Sequence, residues 1–244
     1  MVDYDAISNA FCRHVNIGFQ FSGGRDSTAA LYLLCDFWPE MTVYHLDTGD
    51  QFPETKDVVA RVEQDMGRPL HRIYGDVHGI RTAYGLPSDL VPVDNTQPGL
   101  MVSGHRIKIQ GRYECCYRSL MKPMQDHMLK DGITLIVRGQ RDDEYANPPM
   151  RSGDIEGTQE VLYPIQSWTG QQVSDYLAEN QLPIAPFYER GVRRAPECMG
   201  CTAWWDEGRA PYLKQYHPES FAKYEDAMSI VRFAINRQYA TLEV

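Results

Sequence analysis

From residue 1 to residue 74 the apolar positions switch between a helical and an extended period. Residues 1–15 repeat Ile7, Phe11 and Val15 along one helical face. The apolar run Ile17 to Phe21, within 16–21, predicts a buried strand that stops at Ser22-Gly23-Gly24. A helical pattern resumes over 27–37, with Asp26 or Ser27 as N-cap, and ends at Trp38-Pro39. Cys35 sits there among Leu31, Leu33 and Leu34, which predicts a small buried apolar side chain. Met41 to Leu46 is a second strand running into Asp47-Thr48-Gly49. Pro53-Glu54-Thr55 opens another helix with proline and acid in its first turn. Leu70 to Tyr74 is a third strand. Strands alternating with helices at this spacing predict parallel β–α–β units. The fold class is therefore α/β, a mostly parallel sheet with flanking helices.

Beyond this point the pattern loosens. Residues 75–112 are rich in Gly, Pro, Asp and Asn and keep no steady period, as functional or mobile segments do. Glu114 to Lys130 reads as a helix that Pro123 should kink. Ile133 to Val137 is a strand ending in Arg138-Gly139-Gln140-Arg141-Asp142-Asp143. Val161 to Ile165 is a shorter one, followed by a helix that Ser167-Trp168-Thr169 caps and that runs to about Glu179. Residues 189–209 look like a charged loop. The amphipathic helix over 218–239, with Phe221, Tyr224, Met228, Val231 and Ile235 on one face, predicts core or subunit contact.

Composition narrows the function classes. The 43% hydrophobic content is enough for a globular core, and no apolar run approaches the roughly 20 residues of a membrane span. The acidic start Met1-Val2-Asp3-Tyr4-Asp5 lacks a signal peptide's basic and apolar regions, so a cytoplasmic location is expected. A net charge of −9 argues against broad, non-specific nucleic-acid binding. It leaves room for a local basic pocket from His105, Arg106, Lys108, Arg112, Arg118 and Lys122, or for a solvated face.

Two constellations carry chemistry. In open α/β sheets, ligands bind beyond the carboxyl ends of the strands. Three such ends are polar here: Ser22-Gly23-Gly24, Asp47-Thr48-Gly49 and Arg138-Gly139-Gln140-Arg141. The first offers a tight turn and a helix N-terminus, which favour an anion. The second offers a carboxylate, and the third guanidinium groups suited to phosphate or sulfate. The plain alternatives are a capped strand–helix turn without ligand, and a solvated loop in which Arg138 and Arg141 pair with Asp142, Asp143 or Glu144. The second constellation is Cys115-Cys116 with Cys198-x-x-Cys201. Four thiols in two close pairs suit a metal site, zinc or iron–sulfur, more than a disulfide framework.

These motifs, in this order, resemble the adenylyl-sulfate and phosphoadenylyl-sulfate reductases among the PP-loop ATP pyrophosphatases, over roughly residues 17–203. Ser22-Gly23-Gly24-Arg25-Asp26-Ser27 is similar to the PP-loop. Leu46-Asp47-Thr48-Gly49, followed by Phe52-Pro53-Glu54-Thr55, resembles the family's Leu-Asp-Thr-Gly and Pro-Glu-Thr segment. Gly139-Gln140-Arg141-Asp142, with Arg151 beyond, looks like its arginine loop. Tyr163-Pro164-Ile165, Trp168-Thr169 and Tyr188-Glu189-Arg190-Gly191 are similar to the stretch before its second cysteine pair. The resemblance implies an adenine-nucleotide site on residues 22–27, 46–49 and 139–141, with catalytic roles for Asp26, Arg141, Arg151 and Lys122. It also implies a 4Fe–4S cluster on Cys115, Cys116, Cys198 and Cys201, and so prefers iron–sulfur to zinc. Residues 1–203 are then one nucleotide-binding and iron–sulfur domain, and 204–244 a helical extension packed on it.

The departures shape the expected reaction. Reductases of this family attack sulfate sulfur with a cysteine in a C-terminal tail, whereas no cysteine follows Cys201 here, and Cys12 is the remaining exchange candidate. Their adjacent Arg-Lys after the cysteine pair is matched by Ser119 and Leu120, flanked by Arg118 and Lys122. The phosphate loop, in contrast, is the complete ATP-type sequence. The resemblance therefore implies ATP, with Mg²⁺ as a further candidate, adenylating an acceptor so that sulfur displaces AMP. The alternatives are a sulfonucleotide reductase with an altered nucleophile and a nucleotide-binding protein without catalysis. Expected partners are the nucleotide, a sulfur or electron donor protein, a nucleic-acid acceptor, and a second copy in a homodimer, with no membrane.

Overall fold

Asp3 caps the first helix, Tyr4–Arg13 (α1), by accepting a hydrogen bond from Ala6 N at 2.9 Å. In this computed structural model, residues 2–194, 197–205 and 207–241 are described. The closing Leu242, Glu243 and Val244, part of the tail in which no cysteine was found, lie outside them. Ile7 and Phe11 are buried as predicted, whereas Val15 falls past the end of α1 and is 92% exposed.

The apolar run forms Ile17–Gln20 (β1), followed by Arg25–Leu33 (α2). The predicted continuation to residue 37 is instead a 3₁₀ turn, Cys35–Glu40, containing Pro39. Its tighter winding carries Cys35 off the apolar face of α2, so that residue is exposed rather than buried. Met41–Asp47 (β2), Pro53–Met66 (α3) and His71–Tyr74 (β3) follow close to prediction.

Residues 75–112 are more regular than their pattern suggested: Val77–Tyr84 (α4), Leu86–Ser88 (β4), Gln97–Ser103 (α5) and Ile109–Gly111 (β5). Elements this short do not display a period. The predicted helix 114–130 divides into Arg112–Cys116 (α6), a π-helical turn Tyr117–Met121 and Lys122–Lys130 (α7). Pro123 is the second residue of α7, where the wider π turn accommodates a ring that an unbroken α-helix would not. Then come Leu135–Arg138 (β6), Ile155–Glu156 (β7), Gln159–Leu162 (β8) and Gly170–Glu179 (α8), the last capped by Thr169. Arg209–Tyr216 (α9), a helix the pattern did not indicate, precedes Pro218–Ala240 (α10).

The chain divides into two compact units. The first comprises Met1–Leu46, Pro53–Ile73 and Met124–Pro186. It is built on a sheet in the order β3-β2-β1-β6-β8-β7. β1 pairs parallel with β2, Ile17 opposite Met41, and with β6, Ile17 opposite Leu135. β6 and β8 are also parallel, and the short β7 runs antiparallel to β8. Phe19, Leu135, Ile136 and Val137 are fully buried, as strands covered on both faces require. α2 packs against α8.

The second unit comprises Asp47–Phe52, Tyr74–Pro123 and Phe187–Val244, so α9 and α10 share it with the segment holding Cys198 and Cys201. β4 and β5 pair in parallel there. Tyr224, Met228, Val231 and Ala234 form the buried face of α10, and Val231 and Ala234 pack on Ile109. Phe52, Phe187 and Tyr212 form an aromatic core with ring centroids 5.4–6.1 Å apart. No described helix is long and apolar enough to cross a membrane.

Candidate functional site

In the first unit, β1 leads into the Ser22-Gly23-Gly24 turn. Gly23 has φ +82°, and a Cβ there would lie 2.8 Å from Thr55 Cγ2, so the turn needs glycine on both counts. The N-cap of α2 is Gly24, with no side-chain cap, instead of the Asp26 or Ser27 read from the pattern. Gly24 has no side chain with which to cap the helix, and a glycine turn leading into a helix N-terminus suits anion binding. The hydroxyls are turned inward: Ser22 Oγ lies 3.0 Å from Ser27 Oγ, and Ser27 and Thr28 donate to Gly24 O at 3.0 and 2.9 Å.

The arginine loop meets this turn. Gly139 lies so close to α2 that a Cβ on it would sit 2.5 Å from Asp26 O and 2.6 Å from Ser27 Cα. Arg141, 6% exposed, donates from Nε to Asp26 Oδ1 at 2.5 Å, from Nη1 to Asp143, and stands 3.7 Å from Glu144. Burial opposes the Arg141 charge, but Asp26, Glu144 and Asp143 outweigh it and hold the guanidinium protonated. Burial also pushes the Glu144 carboxyl up, although Arg141 N donates to it at 3.0 Å. Gln140 is half-buried. Arg138 is committed elsewhere, to Gln20 Oε1 and Glu156 Oε2, each at 2.8 Å. Arg151 is 62% exposed and stands 3.6 Å from Asp142.

In the second unit, Asp47-Thr48-Gly49-Asp50 builds the cysteine loop. Gly49 takes φ +81° and donates to Asp47 Oδ1 at 2.9 Å. Buried Thr48 donates from Oγ1 to Glu197 O at 3.0 Å. Asp50 accepts Met199 N on its carbonyl at 2.6 Å and Gly200 N on Oδ2 at 3.1 Å. At the far end, Arg209 Nη1 donates to Cys201 O at 2.5 Å. Leu46, the remaining residue of the predicted segment, is buried in the first unit.

Cys115, Cys198 and Cys201 are buried in one cluster with Val77 and Ala203, and Cys116 is half-buried. All are free thiols. Burial pushes Cys115 and Cys198 up, and pushes Cys116 up to about 12, with Cys201 and Cys115 adding to it. Among the described residues, no group of three or more His, Cys, Asp or Glu side chains stands at metal-holding separations. Lys122, at the start of α7, is exposed. Of the flanking basic residues, Arg118 is spent on Gln110 Oε1 at 2.8 Å and on the face of Tyr84, and Lys108 on Ala83 O at 3.1 Å.

The predicted residues thus gather in two places. Residues 22–27 and 139–141 form one, and Thr48 with the four cysteines forms the other. Arg81, Asp50 and Arg209 were missed. They belong to no motif, and their roles come from hydrogen bonds spanning 8 to 150 residues of sequence.

Residues 16–204 match the phosphoadenosine phosphosulfate reductase domain. The chain belongs to that family. Within this reductase family it is 25% identical over 181 residues to an adenosine 5′-phosphosulfate reductase of Salinibacter ruber, covering 73% of this chain and 64% of the relative. It is 24% identical over 166 residues to the enzyme of that name from Agrobacterium fabrum, covering 66% and 56%. The chain therefore spans less than two thirds of these curated relatives. A phosphate complex of phosphoadenylyl-sulfate reductase from Candida auris shares the fold, with a TM-score of 0.57 and 17% identity over 79% of this chain and 86% of that one.

Proposed function

We propose that this protein binds ATP through the turn at residues 22–27 and uses it for adenylating sulfur transfer, with a 4Fe–4S cluster on Cys115, Cys116, Cys198 and Cys201. The observation that carries the nucleotide reading is a glycine turn leading into the N-terminus of α2, with buried Arg141 bonded to Asp26 of the same turn. Backbone amides and the helix dipole would hold the phosphates. Arg141 would stabilise charge developing at the α-phosphate, oriented by Asp26 so that little reorganisation is needed. Ser22 and Ser27 would exchange their mutual hydrogen bond for phosphate oxygens. With Asp26 committed to Arg141, Mg²⁺ would be held chiefly by the phosphates.

The cysteines fit an iron–sulfur cluster by chemistry and burial. The donors are all sulfur, three sit in one apolar cluster, and their loop is braced by Thr48, Asp50 and Arg209. Loading must draw the four sulfurs together and take off their protons, which burial now retains. When bound, such a cluster supplies one-electron chemistry and a sulfur-bearing surface. The chain's own residues there exclude water and fix the thiols.

A second reading, sulfonucleotide reduction to sulfite, is favoured by the relatives named adenosine 5′-phosphosulfate reductase. The test is anaerobic purification and separate incubation with ATP, adenylyl sulfate and phosphoadenylyl sulfate. Pyrophosphate release from ATP supports the first reading. Sulfite release with a thiol reductant replaces it with the second. Binding without turnover of any of the three refutes both and leaves a nucleotide-binding protein.

A further inference from the structure

Arg81 lies on α4, outside every motif recognised in the sequence, yet its side chain is only 10% exposed. Nη1 donates to Asp50 Oδ2 at 2.8 Å. Nε and Nη2 are buried without a hydrogen-bond partner. An arginine so placed normally satisfies its fork with carboxylates or carbonyls, because buried N–H groups left unpaired forfeit their hydration without return. The Arg81 charge acts on Cys198, Cys201 and Cys115, which sit in the buried cluster with Val77 of the same helix. Asp50 ties the guanidinium to the cysteine loop itself, through Met199 N and Gly200 N. A Cβ on Gly200 would lie 3.2 Å from Asp50 Oδ2 and 3.5 Å from Arg81 Nη1, so the loop passes directly over the pair.

Resting on the iron–sulfur reading above, we infer that Arg81 is a positioning residue for the four-cysteine site: its guanidinium offsets the charge of the sulfurs and sets the cluster's reduction potential, with Asp50 as its counterweight. Net charge and hydrogen bonds to the sulfurs are the levers by which a protein tunes such a cluster. A fixed cation stabilises the reduced, more negative state and raises the potential, and a fixed carboxylate lowers it. The pair therefore makes opposite-signed predictions that a purely structural brace does not. Arg81→Gln removes the cation and leaves the carboxylate facing the sulfurs. Asp50→Asn keeps an oxygen to accept from Gly200 N while releasing the guanidinium.

The experiment is a reductive titration of the anaerobically reconstituted full chain, followed by electron paramagnetic resonance, with iron counted in each sample. The midpoint potential should fall in Arg81→Gln, rise in Asp50→Asn and stay near wild type in Arg81→Lys. Potentials that do not move, or that move in the same direction in the two neutralising variants, overturn the inference while leaving the cluster reading intact. If Arg81→Gln holds no iron, wild-type loading and potential in Arg81→Lys support the charge role, and loss of iron there too overturns it. A wild-type chain that takes up no iron removes the cluster reading and this inference with it.

Discussion

Arg141 stands among three carboxylates, Asp26 at 2.5 Å, Glu144 at 3.7 Å and Asp143. Its side chain is 7% exposed, and theirs are 21, 34 and 44% exposed. Arg141→Gln removes the cation and leaves three negative groups facing one another. Breaking a fully buried pair from one side costs about 3–5 kcal/mol. The acids here are partly solvated and free to turn outward, so a loss of about 2 kcal/mol is expected near neutral pH. At about 3 °C per kcal/mol for a chain of this size, the melting temperature should fall by about 6 °C. The pH dependence has a definite sign. Burial already raises the Glu144 carboxyl, with the Asp26 and Asp143 charges adding to it. Removing Arg141 takes away a charge that lowers the Glu144 carboxyl, so that group should rise further in the folded chain. Below that raised value the folded state takes up a proton there, and the repulsion fades. The deficit relative to wild type should therefore be full near neutral pH and shrink as pH falls toward the ordinary carboxylate range. Differential scanning fluorimetry of both proteins across that range measures it, and Arg141→Lys should recover part of the loss. A deficit that is absent near neutrality, or unchanged on acidification, would show that these carboxylates do not depend on the guanidinium. ATP should also raise the melting temperature of wild type more than that of Arg141→Gln, in line with ligand linkage.

Gly139→Ala should cost about 2–3 kcal/mol and abolish nucleotide binding, because its Cβ would meet the α2 backbone at 2.5–2.6 Å and no side chain can yield; wild-type melting with retained ATP binding would refute the close approach. Glu160 accepts Arg13 Nη2 at 2.6 Å and His14 Nε2 at 2.9 Å. Burial alone would raise its carboxyl, but His14 and Arg13 outweigh it and hold it below the usual range. Its contribution, about 1–2 kcal/mol, is present above the ordinary carboxylate range and lost as pH falls through the lowered value. Glu160→Gln should thus melt below wild type at neutral pH and converge with it in acid. Asp26→Ala should weaken nucleotide turnover and keep its iron, whereas Cys198→Ser should lose iron and still bind nucleotide. Equal iron loss in the two would contradict two separate sites.

What was legible in the chain was whatever depends on neighbours in sequence. The strand of β1, the Ser22-Gly23-Gly24 turn, the Pro53 start of α3 and the Thr169 cap of α8 follow from local hydrophobic runs, glycine freedom and capping chemistry. The ordered motifs likewise pointed to the family and its mostly parallel sheet. Local reasoning failed where a residue's environment is supplied from afar. Cys35 looked apolar among leucines, but the chain tightens into a 3₁₀ turn that faces it to solvent. Residues 75–112 hid several short elements whose stability comes from packing rather than from a period. The neighbourhood of Asp47-Thr48-Gly49 is a further property that only folding supplies, since Thr48 and Asp50 hydrogen-bond a cysteine loop some 150 residues away in sequence. Arg81 had no motif at all. A buried guanidinium with two open donors acquires meaning only from the sulfurs and the carboxylate that folding brings to it, and that proximity is a property of the packed chain.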